Sequence, residues 1–197
     1  ADFPSVAARD GELLAHWLQK QGESPYAYGV QLARSTDNGQ TWTPLGTPHD
    51  DSATEHGFAS VLPAGEHFQV FWLDGREMED GGAMTLRTAA VTDGEIGPSE
   101  IIDARVCDCC GTSATLLGER PAILYRDRSL EEQRDISMVA MGDGTWAEPA
   151  SIADDGWIIP GCPVNGPVLA ASGEEPVAAW FTAARQTPQV RLSFAQD

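Results

Sequence analysis

Four stretches of the chain read alike: LLAHWLQK (13–20), FQVFWLDGR (68–76), PAILYRDR (121–128) and PVAAWFTAAR (176–185). Each is an apolar run that ends in an aromatic residue and then turns polar. The aromatics Trp17, Trp72, Tyr125 and Trp180 lie 55, 53 and 55 positions apart. A fixed period of this length is the mark of a repeat architecture. Each run follows a strand of smaller residues: FPSVAAR (3–9), HGFASVLP (56–63), GTSATLLG (111–118) and NGPVLAAS (165–172). Each precedes a further strand-like stretch: YAYGVQLARS (26–35), AMTLRTAAV (83–91), RDISMVAM (134–141) and QVRLSFAQ (189–196). A turn and a short segment close the unit, and Gly, Pro, Asp and Asn separate the runs.

No helical period extends beyond a few residues. Short strands at even spacing predict an all-β chain. Four strands repeated every ~54 residues predict β-propeller blades. The blade limits fall near 1–52, 53–105, 106–160 and 161–197, the last incomplete, with no linker between them. A six-bladed ring of this period needs about 320 residues, so the chain reads as about four blades of such a ring.

The sequence holds 12 Lys and Arg against 30 Asp and Glu, a net charge of −18 over 197 residues. Such acidity repels nucleic acid and anionic membrane surfaces. No apolar run approaches the ~18 residues of a membrane span. The chain starts at Ala1 without Met, which fits a removed leader or engineered ends.

STDNGQTW (35–42) follows the pattern S-x-D-x-G-x-T-W. Asp37 can take turn N–H groups, Gly39 supplies a positive φ, and the expectation for Trp42 is a ring buried between neighbouring blades. Weaker copies stand at GDGTW (142–146) and TDG (92–94), and Asp197 aligns with Asp37. With these turns the chain resembles the sialidase-like, or BNR-repeat (Asp-box), propellers. The resemblance implies a secreted or periplasmic protein and a site on the axial face. It also implies an arginine triad for a substrate carboxylate, an Asp acid/base, and a Glu that activates a Tyr nucleophile. Where the family's first triad Arg is expected, this chain reads DFPS.

Three irregular segments precede the innermost strand of successive blades: HDDSATEHGF (49–58), RVCDCCGTS (105–113) and GWIIPGCPVNGP (156–167). The repeat brings them to one face. Candidate catalytic residues there are Asp51, Glu55, Arg76 and Arg126, and candidate substrate-binding residues are Asp50, His56 and Asn165. Cys107, Cys109, Cys110 and Cys162 offer soft ligands for copper or zinc. The competing reading is a disulfide between Cys110 and Cys162, which precede the same strand of adjacent blades; a reactive thiol pair is the third. In an extended segment Cys107 and Cys109 share a face and Cys110 opposes them. Two functions remain open at this stage. One is a glycan-binding or glycoside-hydrolysing propeller that takes a glycan or other small anion, with no cofactor required. The other is a non-catalytic module holding a metal, a protein partner or a second chain that completes the ring.

Overall fold

The computed structural model describes residues 2–194. Four antiparallel meanders follow one another along the chain. The first sheet is β1 (Asp2–Arg9), β2 (Glu12–Lys20), β3 (Tyr28–Ser35) and β4 (Thr43–Gly46). The second is β5 (His56–Ala64), β6 (His67–Asp74), β7 (Thr85–Thr92) and β8 (Glu95–Ile96). A fifth strand of the second sheet, β9 (Glu100–Asp103), pairs with β7. The third sheet comprises β10 (Ser113–Leu117), β11 (Arg120–Arg126), β12 (Ile136–Ala140) and β13 (Ala150–Ser151). The fourth holds β14 (Val168–Ser172), β15 (Glu175–Thr182) and β16 (Gln189–Phe194). Asp197, aligned above with Asp37, lies outside the described residues. No helix among the described residues is long and apolar enough to cross a membrane.

The chain divides into two compact units, Ala1–Ile101 and Ile102–Asp197. The sequence shows no linker there, and the division falls inside β9. The reason lies in the cores. In the first unit Leu14, Leu18, Val30 and Leu32 pack against Phe68, Val70, Trp72, Ala89 and Val91. In the second, Leu117, Ala122, Leu124 and Ile136 pack against Leu169, Ala178 and Trp180. Each core is built by two consecutive sheets, because a sheet buries a face only against another layer. β6 is buried along nearly its whole length, as its unbroken apolar run implies. β2 alternates instead.

The four repeat-defining aromatics each find an acceptor for their polar edge, as the buried Trp72, Tyr125 and Trp180 require, while Trp17 is half-buried. Trp17 Nε1 donates to Gln19 at 3.3 Å. Trp72 Nε1 donates to Asp74 at 2.7 Å, Tyr125 Oη to Asp103 at 2.6 Å, and Trp180 Nε1 to Asp155 at 2.8 Å. Burial together with the Asp103 and Asp127 charges pushes the Tyr125 phenol well above its usual range. Tyr125 is therefore a neutral donor.

The 35–42 turn closes through side chains. Asp37 accepts from the Ser35 hydroxyl at 2.8 Å, the Thr41 N–H at 2.8 Å and the Thr41 hydroxyl at 2.6 Å. These bonds, led by the Thr41 hydroxyl, hold the Asp37 carboxyl down to about 2. Gly39 sits at φ +85°. The expectation for Trp42 is corrected. Its ring is 42% exposed and folds over its own turn, with Nε1 donating to the Gly39 carbonyl at 3.1 Å. The indole satisfies its N–H within the turn instead of against another sheet.

Candidate functional site

The first unit carries a buried polar network where β5 begins and β6 ends. Asp74, the last residue of β6, is fully buried. Its carboxylate accepts from Trp72 Nε1, from Arg76 Nε at 2.8 Å and from Arg76 Nη2 at 2.6 Å. Arg87 Nε stands 3.9 Å away. Burial alone would raise the Asp74 pKa, but the Arg76 and Trp72 donors outweigh it and hold it at about 2. Arg76 also reaches Asp50 at 3.3 Å.

Above this hub two imidazoles stack, His49 on His56, with centroids 3.8 Å apart and planes 8° from parallel. His49 Nε2 accepts the Val30 N–H at 3.0 Å, and Nδ1 lies 2.7 Å from the Asp50 carbonyl oxygen. Nδ1 therefore carries the proton, and both nitrogens are committed to the main chain. His49, Asp50 and His56 place ligand atoms within 4.8 Å of one another, yet His49 can give a lone pair to a metal only by losing Val30. His56 is the reverse case. It is fully buried, and neither ring nitrogen has a hydrogen-bond partner among the described residues. Its Nε2 faces Asp74 at 3.6 Å and Asp50 at 3.8 Å. Burial, followed by the neighbouring His49, lowers its pKa to about 4.

The depressed His56 pKa has a defined sign. Between its unfolded value near 6.5 and about 4, the unfolded chain takes up a proton that the folded unit refuses. The stability is present above pH 6.5 and is lost as pH falls towards 4. The first unit is expected to lose about 3 kcal/mol over that interval. Urea unfolding at pH 7, 5.5 and 4.5 measures it, and His56→Phe should flatten the profile.

His56 also forms part of the wall of a cleft of about 250 Å³, together with Phe3, Leu18, Tyr26, Tyr28, Glu55 and Phe58. Phe3 and Phe58 sit on the bulges of β1 and β5, at φ +49° and +46°, with ring centroids 5.4 Å apart. An aromatic residue at positive φ is strained, and such strain gathers at functional positions. A wider cleft of about 710 Å³ lies by the outer hairpins. Its Arg34 is already paired with Glu12 and Asp93.

In the second unit all four cysteines converge. The bridge joins Cys109 to Cys162, with Cα atoms 5.9 Å apart. The expected Cys110–Cys162 pairing is corrected, because the segment around 108–109 turns rather than running extended. That turn swings Cys109 towards Cys162 and buries Cys107 and Cys110 together as free thiols, Sγ to Sγ 3.2 Å. Cys107 and Cys110 stand in C-x-x-C spacing, which the triple C-D-C-C obscures. Arg134 donates to Cys107 at 3.2 Å. The bond from Cys110, against the opposing effect of burial, lowers the Cys107 pKa. The same bond raises that of Cys110.

The other site candidates separate. Asp51 is exposed and takes no part in the network among the described residues. Glu55 lines the cleft, and its main-chain carbonyl receives the Gly75 N–H at 2.8 Å. Arg126, expected to bind a substrate anion, belongs to the second unit and is 1% exposed. Its guanidinium donates to the carbonyls of Asn165, Arg134 and Phe181 at 2.7–3.1 Å. It is committed to holding main chain. Asn165 acts through that carbonyl, and its side chain bonds to Pro163 at 2.5 Å. His49, Arg87, Arg134 and the Phe3–Phe58 pair were not singled out from the sequence. The F-x-S echo at 3–5 and 58–60 was the available signal for the last.

The 165–166 segment presses closely on the cysteine loop. A Cβ at Gly166 would stand 2.2 Å from the Gly111 carbonyl oxygen. Gly166→Ala is therefore expected to cost the second unit about 2 kcal/mol or more, read by thermal unfolding. The same change at Gly161, where a Cβ meets nothing, should be close to neutral.

No family model and no curated protein sequence matches the chain. Solved structures do. A protein of unknown function from Dyadobacter fermentans aligns with TM-score 0.71 at 17% identity, over 95% of this chain and 50% of that one. The alpha-L-arabinofuranosidase of Lactobacillus brevis aligns at 0.56 and 12%, over 97% and 71%. An N-acetylgalactosamine deacetylase from F. plautii, in complex with blood group B trisaccharide, aligns at 0.60 and 13%, over 100% and 66%. At these identities the likeness is one of fold. The four meandering sheets are of the β-propeller kind found in glycan-active enzymes. The chain spans half the length of the Dyadobacter protein.

Proposed function

We propose that the chain is a glycan-binding part of an exported propeller, taking a saccharide in the cleft beside His56. The observation that carries this reading is the Phe3–Phe58 pair. Two strained bulges hold aromatic rings 5.4 Å apart on the wall of a cleft that Tyr26 and Tyr28 also line. Sugars offer apolar C–H faces and polar rims. A largely apolar cleft with a few convergent polar groups suits them. Glu55 and the Tyr26 and Tyr28 hydroxyls supply polar groups on the cleft wall, and the buried His56–Asp74–Arg76 network lies behind it. The glycan-active neighbours of the same fold support the class of ligand. The Cys109–Cys162 bridge supports an oxidising compartment.

Hydrolysis is the finer claim. It would use Asp50 or Asp51 as the acid, as in the sialidase-like reading. Calorimetric titration with arabinose-, N-acetylgalactosamine- and sialic acid-containing oligosaccharides tests the binding claim. At least one should bind, and Tyr26→Ala, at a 67% exposed ring, should weaken it tenfold or more. Silence across the panel, or binding indifferent to Tyr26 and Phe3, would remove the proposal. Turnover of a fluorogenic glycoside that vanishes in Asp51→Ala would extend it to catalysis.

A further inference from the structure

The geometry points to a second site, in the other unit: Cys107 and Cys110 form a two-thiolate site for a soft monovalent metal ion of the copper(I) class. The Cys109–Cys162 bridge closes over this pair.

Placement is the first argument. The two sulfurs lie 3.2 Å apart, and their residues are 1% and 2% exposed. The Cys109 sulfur, 3.8 Å from Cys107, is engaged in the bridge. It leaves two ligands where the sequence offered four. Zinc in a structural site takes four ligands, whereas thiolates in small number suit the softer monovalent ion.

Charge is the second. Arg126 is a buried cation, and among the described residues it forms no ion pair with a carboxylate. Its oxygen partners are all main-chain carbonyls. The groups of opposing charge around it are the Cys107 and Cys110 sulfurs and the buried Asp135, and a buried charge is costly unless it is compensated. Arg134 differs, since Asp108 at 3.2 Å and Glu132 at 2.7 Å already balance it. Two thiolates and one monovalent ion carry a net −1, of the sign that Arg126 favours beside it. A Cys107–Cys110 disulfide, or two thiolates with a divalent ion, is neutral and removes the sulfur charge that faces Arg126, leaving the buried Asp135 as its opposing charge. Each thiol that ligates gives up its proton to solvent, so loading releases protons. The sulfurs must also move apart, because metal–sulfur bonds near 2.3 Å place two ligands further apart than 3.2 Å.

The test uses the whole chain with the Cys109–Cys162 bridge intact, verified by mass, under anaerobic conditions. Silver(I), a soft monovalent ion that binds thiolates without a change of oxidation state, and copper(I) held by a chromophoric chelator are titrated in. The expected result is one equivalent of either ion, with a thiolate charge-transfer band in the ultraviolet. Zinc(II) should bind at least a hundredfold more weakly. Cys107→Ser and Cys110→Ser should each lose a hundredfold, and Cys162→Ser should keep the ion. Near-ultraviolet circular dichroism confirms that the variants fold. Arg126→Met should weaken the ion more than it weakens zinc. The proposal is overturned if the two-thiol form takes up no silver or copper. Uptake that survives removal of both thiols overturns it equally, as does tighter zinc than copper binding. The glycan titration concerns the other unit and is read separately.

Discussion

Asp74→Ala should destabilise the first unit by about 3–5 kcal/mol, the usual result of removing one member of a buried ion pair. The loss has three parts. The Trp72 indole N–H loses its acceptor inside the core. Arg76 loses both side-chain bonds and is left with Asp50, which is partly solvated. Arg87, 8% exposed, is then left with Glu77 at 3.6 Å as its carboxylate partner. Asp74→Asn keeps the shape and one acceptor oxygen, so it should cost less. Asp51→Ala, at an exposed position outside the network, should fall within about 0.5 kcal/mol of the parent. Urea unfolding followed by tryptophan emission measures all three. A loss below 1 kcal/mol for Asp74→Ala would mean that the carboxylate is not the hub of this network. The pH dependence separates in the same experiment. The His56 contribution disappears between pH 6.5 and 4. The Asp74 contribution persists lower and is lost only as pH falls through about 2.

Reducing the Cys109–Cys162 bridge should cost the second unit about 2–4 kcal/mol. The bridge spans a separation of 53 residues, and a loop of that size gains about 4 kcal/mol from restricting the unfolded chain. The effect should be confined to residues after the unit boundary. Hydrogen exchange with and without reductant reads this directly: protection should fall in β10 to β16 and hold in β1 to β7. The Cys162→Ser variant should reproduce the reduced state. Equal loss in both units would contradict the placement of the bridge within one of them.

Much of the fold was legible. The recurrence of Trp17, Trp72, Tyr125 and Trp180 located strands β2, β6, β11 and β15, because an apolar run closed by an aromatic recurs only where each unit must bury the same face. Small residues before these runs located β1, β5, β10 and β14. Asp37, Gly39 and Thr41 announced the turn at 35–42, since its hydrogen bonds are local and written in consecutive residues. The exposure of Trp42 was not legible, because it depends on whether another layer covers a short outer strand.

The candidate sites were legible in part. Repeat equivalence pointed to the 49–58, 105–113 and 156–167 segments, and the residues that matter in the structure come from or contact them. It did not assign partners. Cys109 rather than Cys110 meets Cys162 because of a turn two residues long. Arg126 was readable as a cation near a loop, but not as one that uses its donors on the carbonyls of Asn165, Arg134 and Phe181. His49 escaped notice because its role rests on a bond to the Val30 N–H, nineteen positions earlier.

The sequence by itself determined the strands, their order and the approximate place of each irregular loop, because period, turn chemistry and apolar patterning act over neighbouring residues. Only the tertiary structure decided which sulfur bonds to which, which arginine is left without a carboxylate, and that two phenylalanines 55 positions apart face one cleft. Those outcomes depend on angles of turn and on what is buried. A buried charge or an unpaired imidazole becomes costly, and so informative, only once water has been excluded around it.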